Sequence, residues 1–153
     1  MQKIFISSFC VLFEDYDLLE QLCKSCPEVP MGAELGTSWP IPNFDELLDS
    51  QVPRFASGPV TLHAPFVEIS GAPDSPERAA MEAAFAKAFR WYHLFGAESM
   101  VMHTHERAVP ADERAQLQEW SLEAIRSTAA KAKAEGLHLT VENVGFPFKD
   151  SVL

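Results

Sequence analysis

The stretch that most constrains the fold is residues 137–143, LHLTVEN, which alternates strictly between apolar and polar side chains. Leu137, Leu139 and Val141 share one face of a strand, and His138, Thr140 and Glu142 share the other. The stretch follows a long helical pattern that stops at Gly136. A strand with one apolar face, and a polar face ending in a carboxylate, suits a barrel of parallel strands. The apolar side packs beneath helices and the polar side points toward the barrel axis. Glu142 then stands at the carboxyl end of its strand, where such barrels carry their chemistry.

The pattern repeats upstream. Residues 3–9 (KIFISSF), 31–37 (MGAELGT), 59–66 (PVTLHAPF) and 99–105 (SMVMHTH) read as four earlier strands. Between them lie helical patterns. The first covers 15–26, carries Leu18, Leu19 and Leu22, and is stopped by Pro27. The second is short, 43–50, opened by Asn43 with Glu46 three residues later as a capping-box variant. The third starts at Ser75-Pro76, runs to Phe95 and stops at Gly96, with Met81, Phe85, Phe89 and Tyr92 as its apolar stripe. The fourth covers about 110–135, with Leu122, Ile125, Ala129 and Ala132 at core spacing. Five strands alternating with four helices, and no linker or low-complexity tract, predict one α/β domain with a parallel sheet.

If the apolar position of each strand faces the helices, the last inward residues are Ser7, Glu34, His63, His103 and Glu142. Four of these five can titrate or bind a metal, and all sit at strand carboxyl ends. Imidazole and carboxylate on rigid neighbouring strands suit zinc, manganese or iron. A single such histidine reads as a hydrogen-bonded residue lining the interior; the in-phase set reads as a site. His105 shares the face of His103 and reaches toward the same place, or lies solvated in the following loop. His93 and His138 read as structural.

Composition narrows the alternatives. Twelve basic and 22 acidic side chains give a net charge of −10 over 153 residues, a field that repels nucleic acid and anionic membranes. No apolar run reaches the roughly 20 residues that span a bilayer, and MQKIFISSF lacks the order of a secretory signal. Three cysteines, an odd number, suit a reduced cytoplasmic protein. Cys23 and Cys26 form a C-x-x-C, but at the end of a helix, where the dipole does not activate a thiol. Phosphate-cradling glycine loops and a nucleophile elbow are absent from the sequence.

LHAPF around His63, VMHTH around His103 and LTVENVG around Glu142 resemble the third, fourth and fifth strands of the xylose-isomerase-like TIM barrels, which include sugar isomerases, sugar epimerases and an apurinic-site endonuclease branch. The resemblance implies a (β/α)8 barrel and a divalent metal such as manganese, zinc, magnesium or cobalt. It implies that Glu142 ligates the metal and helps move a proton, and that His63 and His103 ligate or contact substrate. Glu34 matches a second-strand acidic position more loosely, and with His63 and His105 it is expected to contact a sugar. A complete barrel takes about 250 residues, so the expectation is an amino-terminal, partial barrel of five strands, holding at most half of the metal site. Its first and fifth strands are then open edges that a homodimer would cover. The endonuclease alternative sits poorly with the charge of −10, and a non-catalytic, self-associating half-barrel is the other alternative.

Overall fold

Short apolar alternations separated by helix-forming runs leave a chain little choice but to lay parallel strands beside one another, each return made by a helix. The computed structural model describes residues 3–12, 14–104 and 111–142. Its strands are β1 (Ile4–Ser7), β2 (Met31–Gly36), β3 (Val60–His63), β4 (Met100–His103) and β5 (Leu139–Glu142). They form one parallel sheet in the order β1-β2-β3-β4-β5. Strictly sequential order belongs to a barrel wall; a doubly wound sheet reverses direction partway.

The crossovers are α1 (Tyr16–Lys24), the pair α2 (Phe44–Ser50) and α3 (Val52–Phe55), α4 (Pro76–Phe95) and α5 (Arg114–Ala134). Two predicted helix starts are built as expected. Asp15 Oδ1 accepts the Leu18 N–H at 3.0 Å, and Ser75 Oγ accepts the Arg78 N–H at 3.1 Å. Gly96 closes α4 in the left-handed region, at φ 60°. The capping box at Asn43 does not form. Asn43 occupies the N-cap position of α2 but itself adopts φ 57°, and its side chain makes no cap hydrogen bond. The second crossover also runs further than the sequence pattern suggested. Gln51 both closes α2 and precedes α3, which has Pro53 in its first turn.

Register explains which residues face which way. Ala33 pairs with Val60, Leu35 with Leu62, Leu62 with Met100, and Met102 with Val141. These rows face the helices. Ala33, Leu35, Val60, Leu62, Met100 and Met102 are buried in one core with Met81, Phe85, Phe89 and Tyr92 of α4. Gly32 is needed for close approach: a Cβ there would collide with the Pro59 carbonyl oxygen and lie 2.8 Å from Phe5. Helix α5 departs from expectation. It buries Leu117, Ser121, Ala124, Thr128 and Ala132, while Leu122 is 38% exposed and Ala129 is exposed. Small side chains let the helix sit close, and Ser121 Oγ donates to the Leu117 carbonyl at 2.8 Å, so its burial leaves no hydroxyl unpaired. Among the described residues no helix is long and apolar enough to cross a membrane.

Candidate functional site

The opposite rows of the sheet carry the polar residues. Ser7 pairs with Glu34 and Glu34 with Thr61; Gly36 pairs with His63, His63 with Val101 and Val101 with Thr140; His103 pairs with Glu142. The in-phase set therefore shares one face, as the alternation predicts. It does not share one level. Glu34 lies in the row of Thr61, two residues below the row of His63, so the backbone holds it deeper than the histidines. His63, His103 and Glu142 are each the last residue of their strand.

These three form a chain of contacts. His63 Nε2 lies 3.0 Å from His103 Nε2, and His103 Nε2 lies 3.4 Å from Glu142 Oε2. His63 Nδ1 lies 2.8 Å from the Ala64 carbonyl oxygen. A carbonyl only accepts, so Nδ1 carries the hydrogen and Nε2 presents its lone pair toward His103. Exposure rises across the site: His63 is 7% exposed, and the side chains of His103 and Glu142 are 19% and 54% exposed.

Aromatic rings collar the imidazoles. Phe9, in the 3-10 turn Ser8–Cys10, meets His63 edge-on with ring centroids 4.9 Å apart. Phe66, just beyond β3, lies 4.6 Å from the His63 ring and 5.5 Å from the His103 ring, and it also packs on Phe9 at 5.3 Å. Ser7, the fifth inward residue, serves this collar, since its Oγ accepts the Phe9 N–H at 3.4 Å and caps the turn. Sequence reasoning missed Phe9 and Phe66. Their signal was their position just past the ends of β1 and β3.

The donor set is the right kind for a divalent cation: two imidazole nitrogens and a carboxylate oxygen. Neighbouring ligand atoms around a tetrahedral zinc, with bonds of about 2.0–2.1 Å, lie roughly 3.3 Å apart, and separations of 3.0 and 3.4 Å bracket that value. The set is nevertheless open. Among the described residues no group of three His, Cys, Asp or Glu side chains is arranged to hold a metal ion. His63 and Glu142 both meet His103. His105 lies outside the described residues. A cleft of about 650 Å³ is lined on one side by Thr37, Ser38, Trp39, Pro65 and Val67 and on the other by alanines of α4, and no donor of the set lines it. The metal-capable chemistry is at the strand ends, and we place the site there.

Cys23 of the C-x-x-C is not an activated thiol. Burial pushes the Cys23 thiol up, Glu20 adds to the effect, and its Sγ donates to the Gly32 carbonyl at 3.3 Å.

The fold defines the class: five consecutive strands and four helical crossovers of a parallel β/α barrel, with imidazole and carboxylate at the carboxyl ends of the strands. Comparison with solved structures agrees. The chain is similar to the TTHB071 protein from Thermus thermophilus, in a structure soaked with ZnCl2, with TM-score 0.68 and 20% identity over 94% of this chain and 56% of that one. It is similar to a D-tagatose 3-epimerase-like protein, also at TM-score 0.68, with 15% identity over 97% of this chain and 55% of that one. A weaker likeness, TM-score 0.49 at 16% identity, is to endonuclease IV from Thermus thermophilus, over 97% of this chain and 54% of that one. At these identities the likeness shows the fold alone, that of a parallel β/α barrel wall. The chain spans a little over half the length of the structures it matches. No protein-family model matches the chain, and no curated protein matches it.

Proposed function

We propose that these 153 residues form the amino-terminal part of a divalent-metal-dependent sugar or sugar-phosphate isomerase or epimerase. His63, His103 and Glu142 would ligate the metal, and Glu34, His63 and His105 would contact the sugar. The remaining donors would come from strands beyond these five. The observation that carries the reading is the meeting of His63 and Glu142 with His103 at three neighbouring strand ends, with atoms 3.0 and 3.4 Å apart. One similar structure is that of a D-tagatose 3-epimerase-like protein and another was soaked with ZnCl2, which fits this chemistry.

A bound divalent cation would supply Lewis-acid polarisation of a substrate carbonyl or hydroxyl. The chain's own part is positioning and proton transfer. The Phe9–Phe66 collar shields the imidazoles from water on one side, leaving the opposite side to the substrate. Glu142 is the most exposed of the three donors. A carboxylate has two oxygens, so Glu142 can hold one position while taking a proton from the carbon beside a carbonyl and returning it to a neighbouring atom on the same side; delivery to the opposite face would need a second acid there, beyond these residues.

Calorimetric titration with Zn2+ and Mn2+ tests the reading. The wild-type chain is expected to bind weakly, because an open donor set lacks a full coordination shell. His103→Ala is expected to weaken that binding roughly tenfold or more. Equal affinity in the two proteins sinks the assignment. Sugar turnover by the 153-residue chain is expected to be negligible, and robust metal-dependent turnover would refute the need for further donors.

A further inference from the structure

His63 owes its aim to its backbone, and the backbone from 63 to 66 is held from a neighbouring strand. Thr37, the residue after β2, approaches the His63 carbonyl twice: its N–H donates to that oxygen at 3.0 Å and its Oγ1 donates at 2.8 Å. Ser38 Oγ accepts the Phe66 N–H at 3.0 Å. Thr37 is 4% exposed and Ser38 is half-buried. These contacts bracket a turn of three peptide units. In the middle of it lies the Ala64 carbonyl, the group that receives the His63 Nδ1 hydrogen at 2.8 Å. The end of the same turn carries Phe66, the ring that packs on both imidazoles.

We propose that Thr37 and Ser38 are positioning residues: they clamp the 63–66 turn so that His63 keeps its hydrogen on Nδ1 and turns its Nε2 lone pair toward His103, with Phe66 closed over the pair. The physical reason is that an imidazole in water exchanges between its two neutral tautomers, and only a fixed acceptor at one nitrogen selects one of them. The Ala64 carbonyl is that acceptor; the Ala64 N–H is anchored on the Val101 carbonyl at 2.7 Å, and the Thr37 and Ser38 bonds add the restraint at the two ends of the turn that fixes the plane of this carbonyl. The inference deepens the proposed metal site and rests on it for its purpose, but the tautomer itself is observable in the metal-free chain.

The test uses the 153-residue protein and the variants Thr37→Val and Ser38→Ala, with Ser38→Thr as the conservative variant that keeps a hydroxyl. Nitrogen-15 NMR of the histidine rings reads the tautomer. Wild type is expected to hold His63 in the Nδ1–H form, and both disruptive variants to move it toward a mixture, with Ser38→Thr restoring it. Exchange of the Phe66 amide hydrogen is expected to quicken roughly tenfold in Ser38→Ala. Zn2+ affinity is expected to fall roughly 10- to 100-fold. If both folded variants keep the wild-type tautomer and the contacts of Phe66 with the imidazoles, the residues are merely structural and the proposal is overturned; a wild-type His63 in the Nε2–H form overturns it too. Should Ser38→Ala not fold, Thr37→Val decides alone, being matched in shape. Absence of Zn2+ binding by wild type counts against the metal reading, while the tautomer still decides the clamp.

Discussion

Tyr16 and His63 are both buried rings with a titratable group, 3% and 7% exposed, and they show how differently burial is used at single positions. His63 has both ring nitrogens within hydrogen-bond distance of a partner and belongs to the candidate site. Tyr16 packs on Phe55, with ring centroids 6.2 Å apart, in the layer beneath α1. Burial there pushes its phenol up to about 12 from 10.0. The folded state thus holds the proton more tightly than the unfolded state. The resulting stability is fully present below pH 10 and is lost as the pH rises through about 12. At pH 11 wild type is expected to have lost about 1.4 kcal/mol relative to Tyr16→Phe, measured by urea unfolding at pH 9 and pH 11. Parallel behaviour of the two proteins would contradict it. His63, His103 and Glu142 were legible at this scale because a period of two assigns faces locally. Phe66 and Ser38 were not: their roles depend on a contact between chain positions 28 residues apart.

At the scale of the element, caps and stripes read well and orientations less well. Ser75, Pro76 and Gly96 frame α4 as expected, because capping is chemistry within a few residues. Helix α5 presents a face that hydropathy did not choose. Its buried row runs through Ser121, Ala124, Thr128 and Ala132, leaving Leu122 outside. Close packing against the sheet favours small side chains over the larger apolar one, and the helix turns accordingly. Leu122→Gln is therefore expected to change stability by no more than about 0.5 kcal/mol. Ala124→Leu, which forces a larger group into a position with 0% exposure, is expected to cost roughly 1–3 kcal/mol. Thermal or urea unfolding of both variants decides it, and the reverse ranking would restore the orientation that periodicity favoured.

For the molecule as a whole, the outer strands of the sheet stand out. Among the described residues β1 and β5 each pair on one side only. Ile4 of β1 is 50% exposed and Val141 of β5 is 46% exposed, both apolar positions on edges that offer unpaired backbone groups. We expect these edges to associate, most simply in a two-fold dimer that sets β1 of one copy beside β5 of the other. Light scattering at micromolar concentration is expected to show a species heavier than 17.0 kDa. Ile4→Lys combined with Val141→Lys is expected to return it to the monomer. A monodisperse wild-type monomer would overturn the expectation.

Alternation and helical periodicity, which act over a few residues, sufficed to settle five parallel strands, their helical crossovers, and the common face of Glu34, His63, His103 and Glu142. Tertiary structure decided what happens between distant segments. It brought His63 within 3.0 Å of His103, 40 residues later in the chain, and closed Phe9 and Phe66 around them. It set Glu34 one row lower, turned α5 onto its small residues, and put Asn43 into a conformation that leaves its side chain out of the cap. Local patterns assign a side chain to a face. The level it reaches and the neighbour it meets depend on register and packing distance, which no single segment carries.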